Sequence, residues 1–374
     1  MTHQQRCKAV LGGALGFLAP LLLLASVSHA GFVQTNLVSD IPNLAANTDP
    51  NLKNPWGISF SPTSPFWVSD QVTGVATLYN GAGVPQPAQP LVVTIPGGSP
   101  TGQVFNSTAS DFQLSNGVKA SFLFATLGGG IAGWNNGLGT SAESHVTTAG
   151  AVYTGLALGN NGSGNFLYAA NDGGGSIDVF SATFVPTTLS GSFTDPNLPA
   201  LFTPYNIQNL NGILYVTYEN ETQGGGVVDA FDTNGSLIRR VTANGAGGPL
   251  ESPWGLALAP AGFGPFGGAL LVGNEDDGRI SAFNPTTGDF LGQLLDGNGQ
   301  PIANTGLWGL AFGNGGIGFN PNTLYFAAGI EDEAHGLFGS ISAVPEAASA
   351  VLLGLGMLGL LGHQARHRHR STSS

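Results

Sequence analysis

The sequence predicts an all-β fold, a six-bladed β-propeller, from three observations. Short apolar runs bounded by Gly, Pro, Asn and Asp recur through the middle of the chain, and each reads as a strand. The runs group into units with equivalent starts at Gly57, Asp111, Gly155, Asn206, Gly255 and Gly309, spaced by 54, 44, 51, 49 and 54 residues. That period suits four-stranded propeller blades. Finally, Phe32 to Val38 is a strand with no hairpin partner beside it, while the last unit has only three strands before Ala343. Joining the two closes the ring and removes a free sheet edge. A solenoid or a pair of sandwiches is the competing architecture, and neither uses the orphan strand.

The chain begins with a different kind of segment. Arg6 and Lys8 precede an apolar run from Val10 to Val27, and Ser28-His29-Ala30 puts small residues where signal peptidase reads. Residues 1–30 therefore read as a signal peptide cleaved between Ala30 and Gly31. A transmembrane anchor is the alternative, and it needs about 20 apolar residues and no cleavage site. The single cysteine, Cys7, precedes the apolar run, whereas a lipidated cysteine follows one. With no other cysteine, the body has no disulfide framework and depends on packing and strand pairing.

The body spans residues 31–343. Its clearest unit is Ser252-Pro253-Trp254-Gly255-Leu256-Ala257-Leu258, then Leu270-Leu271-Val272, Arg279-Ile280-Ser281-Ala282-Phe283 and Phe290-Leu291-Gly292-Gln293. The first unit opens on Asn54-Pro55-Trp56-Gly57, and the sixth on Leu307-Trp308-Gly309. The second is more degenerate, with Ser110 to Leu114 taken as its first strand. Continuous runs such as Leu214-Tyr215-Val216 belong to strands covered on both faces, because half-exposed strands alternate.

Composition excludes several functions. Of 374 residues, 59 are Gly, 23 are Pro, 42% are hydrophobic and 9% charged, which is too apolar for disorder. Residues 31–343 carry five basic against 21 acidic residues, a net charge of −16. That sign repels nucleic-acid phosphates and anionic lipid.

Two groups of residues are candidates for binding. Trp56, Trp254 and Trp308 each start a strand and precede Gly. They read either as platforms for stacking sugars around a central pore or as packing between blades, with Gly where backbones approach closely. The acidic positions Asp70, Asp172, Glu219, Glu275, Asp276, Glu331 and Asp332 fall just after the second strand of their units. Ring closure would gather them on one rim, where oxygen ligands suit Ca²⁺ or another divalent cation. The competing reading is turn formation by bonding nearby backbone N–H groups. Asp296-Gly297-Asn298-Gly299-Gln300 lacks the downstream Glu of a calcium loop and reads as a hairpin. Gly173-Gly174-Gly175 has no following helix to make a phosphate cradle.

Catalytic material is sparse. The body has two histidines, His145 and His335, so neither a three-histidine zinc site nor a cysteine nucleophile can be built. No serine is marked as a nucleophile by its local pattern. The expected function is a binding or structural module of the cell surface or extracellular matrix, directed at polysaccharide or protein. The alternative is a metal-assisted extracellular hydrolase of lactonase type.

After Ala343 the composition changes. Val344-Pro345-Glu346 leads into an apolar run from Ala347 to Leu361 and then the basic cluster Arg366-His367-Arg368-His369-Arg370. Residues 344–374 resemble the PEP-CTERM sorting signal, with Ala347 standing where that motif has its second proline. The resemblance implies transient membrane anchoring, processing by an exosortase after signal peptidase has acted, and an extracellular or outer-surface destination. Independently, about 16 apolar residues before a cationic end read as a short span with its basic side cytoplasmic. The body itself, through Asn36-Leu37-Val38-Ser39-Asp40, Thr48-Asp49-Pro50-Asn51-Leu52-Lys53-Asn54-Pro55-Trp56-Gly57 and Pro65-Phe66-Trp67-Val68-Ser69-Asp70, resembles a family of PEP-CTERM-associated six-bladed propellers that brings a fold and a destination but no reaction. More distantly it is similar to the NHL-type and gluconolactonase-like propellers.

Overall fold

A computed structural model describes residues 31–316 and 318–344. Residues 1–30 and 345–374, which carry the expected signal peptide, Ala30, Pro345, Glu346 and the apolar and basic tail, lie outside the described residues. Among the described residues, no helix is long and apolar enough to cross a membrane.

Six antiparallel sheets surround one axis. Their innermost strands are Pro55–Ser59, Pro100–Phe105, Tyr153–Asn160, Thr203–Leu210, Pro253–Leu258 and Leu307–Phe312. The last sheet is completed by Phe32–Ser39, which runs antiparallel to Leu337–Ala343 from Phe32 opposite Ala343 to Ser39 opposite Leu337. Asn47–Thr48 then pairs parallel with the end of Phe32–Ser39, a fifth strand beyond the expected four.

Apolar runs are continuous because each sheet is sandwiched between two others. Leu214, Val216 and Tyr218 pack with Ala157, Tyr168 and Ala170 of the third blade. Tyr215, on the other face of the same strand, packs with Leu256, Leu270 and Val272 of the fifth. Phe32 seals the closure by stacking on Phe266, with ring centroids 5.9 Å apart.

The second blade corrects the sequence reading. Its inner strand is Pro100–Phe105, whereas Ser110 to Leu114 is a loop in which Phe112 is fully buried with a left-handed φ of 59°. With Gly102 as the equivalent position, the first two spacings become 45 and 53 residues. The strand is buried through hydrogen bonds as well as apolar contact, so hydrophobicity underreports it. Thr101 Oγ1 donates to Tyr153 O at 2.6 Å, and Gln103 Nε2 donates to Gly57 O and Trp67 O, both at 2.7 Å.

Candidate functional site

All six inner strands slip register near their start, between Pro55 and Ile58, Pro100 and Gln103, Tyr153 and Gly155, Pro204 and Asn206, Pro253 and Gly255, and Leu307 and Leu310. A bulge inserts an extra residue and re-aims its side chain. Four of the re-aimed side chains, Trp56, Tyr205, Trp254 and Trp308, meet in one cluster. Trp56 and Trp308 stack with centroids 3.6 Å apart, and Trp254 meets Trp308 edge-on at 5.9 Å. The tryptophans are 1 to 5% exposed, so they make a closed plug, in keeping with packing between blades.

The residue after the plug is Gly in five blades because the next blade's backbone lies against it. A Cβ on Gly255 would fall 2.5 Å from Trp308 O, and one on Gly309 would fall 2.6 Å from Trp56 O. In the fourth blade Asn206 occupies this place and its Nδ2 donates to Trp254 O at 2.7 Å. Each junction of the ring is thus a contact with the neighbouring strand's backbone.

Carboxylates crowd the mouth on the side where the inner strands begin. Asp172 follows the strand Asn165–Asn171, Glu219 ends Ile213–Glu219, and Glu275 follows Leu270–Asn274. The Tyr205 phenol, 9% exposed and without a hydrogen bond to any described residue, feels the charges of Glu219, Glu275, Glu333 and Asp172 after burial has already raised its pKa. Burial pushes Glu275 up to about 8, assisted by Asp276, Glu333 and Glu219. Burial likewise pushes Glu219 up to about 7, with the nearby Ser252 hydroxyl opposing it and Asp172, Glu221 and Asp276 adding repulsion. None of the groups that shift these acids is basic.

Glu333 reaches this mouth through a left-handed turn. Glu331, Asp332 and Glu333 have φ of 54°, 53° and 64°, a conformation that costs L-residues roughly 1–2 kcal/mol each. Asn54 Nδ2 donates to Glu333 Oε2 at 2.7 Å and to Gln71 Oε1 at 3.1 Å, while Asn54 Oδ1 accepts from Trp308 Nε1 at 2.8 Å. Asn54 therefore ties the acidic rim to the aromatic floor.

The sequence-based acidic candidates divide between several places. Asp172, Glu219, Glu275 and Asp276 share the mouth; Asp276 also accepts from Ser252 Oγ at 2.9 Å. Asp70 is fully buried within the first blade, accepts from Thr77 Oγ1 at 2.8 Å and has its pKa raised by burial. Glu331 and Asp332 are exposed on the left-handed turn. Turn-making falls to their neighbours: Asn171 Oδ1 accepts from Gly174 N at 2.9 Å, and Asn220 Oδ1 from Thr222 N at 3.0 Å. Among the described residues, no group of three or more His, Cys, Asp or Glu is arranged to hold a metal ion. Glu333, Tyr205 and Asn54 are the site residues that sequence reasoning did not single out. The signal for Tyr205 was available, since Tyr205-Asn206 occupies the place of the Trp-Gly pairs.

Neither His145 nor His335 has a serine partner among the described residues. His335 Nδ1 lies 2.7 Å from Asp40 Oδ2, with Glu331 at 3.8 Å from its other nitrogen. His145 Nε2 lies 2.6 Å from Glu143 Oε1, and its ring stacks on Phe184.

These features define a six-bladed β-propeller whose axis is plugged by aromatic side chains beneath a carboxylate-rich mouth. The chain belongs to the same family as protein R648 of Acanthamoeba polyphaga mimivirus, to which it is 32% identical over 331 residues covering 82% of this chain and 78% of the relative. Protein L690 of the same virus is 30% identical over 336 residues, covering 82% of this chain and 84% of the relative. Both relatives are described as uncharacterized. Comparison with protein-family profiles finds no match. Among solved structures, a glucose dehydrogenase is similar with a TM-score of 0.50 and 12% identity, covering 83% of this chain and 100% of that one, a likeness of fold alone. Virginiamycin B lyase from Staphylococcus aureus has a TM-score of 0.49 and 14% identity, covering 84% and 100% of the two chains.

Proposed function

We propose that the protein is an exported propeller of the cell surface or extracellular matrix that works as a binding module, its acidic mouth receiving an amine-bearing group of an extracellular polymer. One observation carries the reading: the charges of Glu219, Glu275, Glu333 and Asp172 all act on the Tyr205 hydroxyl, which has no hydrogen bond to a described residue, and no basic side chain is among the groups that shift Tyr205, Glu219 or Glu275. Carboxylates crowded together without a basic partner are relieved by a cation brought among them. An amine fits better than a bare metal ion because, among the described residues, the acids do not gather three at a time around one point. Export is supported by the basic, apolar and small-residue pattern of residues 1–30 and by the tail 344–374. The scarcity of nucleophile and base pairs supports binding over turnover.

The test is a thermal-shift and tryptophan-fluorescence screen of the purified protein with glucosamine oligomers, spermidine, Ca²⁺, Mg²⁺, Mn²⁺ and Zn²⁺. A ligand of the folded state raises its stability. The amines are expected to raise the melting temperature, and Glu275→Gln with Glu333→Gln to abolish the rise. A rise with a metal alone, accompanied by lactone hydrolysis lost in Asp172→Ala, would replace this reading with the metal-assisted hydrolase.

A further inference from the structure

The two faces of the propeller differ in charge. At the end where the inner strands finish, the loops between the first and second strands of the blades, and between the third and fourth, carry Asp111, Lys119, Asp232 and Asp289 as their only charged residues. Asp296 joins them in the hairpin that packs on Gly31. At the mouth, the loops between the second and third strands alone carry eight acids, from Asp172 to Glu333, against one arginine, Arg279. Exposed apolar side chains are distributed the other way. Of the eleven large ones exposed among the described residues, Leu44, Val72 and Leu201 lie on the mouth side; Val84, Val118, Val185 and the rest lie in the loops of the other face, or within two residues of them or of the chain ends.

Both ends of the described chain lie at this second face. Phe32 pairs with Ala343 and Val344 N donates to Gly31 O at 2.8 Å, whereas Ser39 and Leu337, at the other end of the same ladder, lie toward the mouth. The apolar run Ala347 to Leu361 begins three residues past Val344, a stretch that reaches at most about 10 Å. The eight residues of Phe32–Ser39 span about 25 Å between the faces. So short a connection cannot carry the start of the run around to the mouth.

We propose that this second face is a lipid-binding surface: while residues 347–361 hold the chain in a bilayer, the face lies on the headgroups and the acidic mouth points into solution. The inference rests on the reading of residues 344–374 as a membrane anchor, and not on what the mouth binds. The chain ends choose the occupant, because they bring the apolar run against this face and no other. Val118 and Val185 enter the interface, where binding strengthens with the apolar area buried. The face has few charges whose hydration would be lost, whereas anionic lipid repels the acids of the mouth. Turning the molecule over would put those acids on the bilayer and leave the exposed valines in water.

The test uses the chain from Gly31 to Ser374, which has no cysteine, reconstituted into vesicles of phosphatidylcholine and phosphatidylglycerol that contain a spin-labelled lipid. Val118→Cys and Val185→Cys on the proposed lipid face, and Val72→Cys and Leu201→Cys on the mouth side, each carry an environment-sensitive fluorophore. All four positions are 54 to 75% exposed, so the label displaces no packed side chain. The protein is expected to float with the vesicles, and the spin label to quench the first pair at least threefold more than the second. Floating protein with equal quenching on both sides, or with stronger quenching on the mouth side, would overturn the proposal and leave the anchor standing. Protein that stays in solution would defeat the anchor and this orientation together, without touching the amine test of the mouth. Disulfide-linked dimers of unlabelled Val185→Cys in place of quenching would assign the face to a second copy of the chain and overturn the proposal as well.

Discussion

Trp56 and Trp308 stand 252 positions apart in the chain, yet their rings stack at 3.6 Å with planes 16° apart. The pair joins the first blade to the last at the axis, just as Phe32–Ser39 joins them at the rim. The Trp308 ring nitrogen donates to Asn54 Oδ1, while the buried Trp56 nitrogen has no partner among the described residues.

Trp308→Ala is expected to cost about 3–5 kcal/mol, because it removes a fully buried ring and leaves a cavity the rigid ring of blades cannot collapse. Asn54→Ala should cost less, about 1–3 kcal/mol, through the orphaned indole N–H and the released Glu333. Denaturant titration measures both, and equal losses would show that the plug acts through its polar tie rather than its packing.

Removing Phe32–Ser39 should yield an aggregating protein. The deletion bares the whole ladder of Leu337–Ala343, and unpaired edges template association. Size-exclusion chromatography of the variant checks this; a monomer as heat-resistant as the parent would refute ring closure by this strand.

Stability should fall as pH rises from about 5 to 8. Glu219 and Glu275 hold their protons in the folded state to about 7 and about 8, and buried Asp229 to about 7. The unfolded chain gives those protons up near 4, so between these values the folded state binds more protons and loses ground with each step upward. Glu275→Gln should flatten the slope, by an amount on the order of 1–2 kcal/mol at pH 8. Melting temperatures across pH 5 to 8 for the parent and this variant provide the measurement; parallel curves would contradict it.

Asp332→Gly should stabilise the protein by about 0.5–1 kcal/mol. Asp332 is exposed and its φ of 53° suits glycine better than a side-chain-bearing residue. Amine binding should survive in this variant and weaken in Glu333→Gln, since only Glu333 is turned toward Asn54 and the mouth. Loss of binding in Asp332→Gly would mean that the strained turn itself, and not the Glu333 carboxylate, sets the site.

Exported protein should begin at Gly31 and lack Arg366 to Arg370. Mass spectrometry of the extracellular and envelope fractions reads both ends directly, and recovery of intact chain from the cytosol would defeat the export proposal.

The apolar runs made the blades legible, since a strand covered on both faces has to be continuous in apolar residues, and Leu270-Leu271-Val272 meets that demand locally. The Trp-Gly pairs marked the inner strands for the same reason. The second blade escaped because Thr101 and Gln103 are buried by hydrogen bonds to neighbouring backbones, which leave no hydrophobic trace. Glu333 escaped because its direction comes from three consecutive left-handed residues that no composition rule anticipates.

By itself, then, the sequence determined the number of blades, the orphan strand's place in the last of them and the acidic sign of the body, because periodicity and charge are local sums. Only the tertiary structure decided that Asp172, Glu219 and Glu275 share a mouth with Glu333 while Asp70 is shut inside a blade. Which side chain reaches the axis depends on bulges and on contacts between blades some 50 residues apart in sequence. Those contacts exist once the ring has closed.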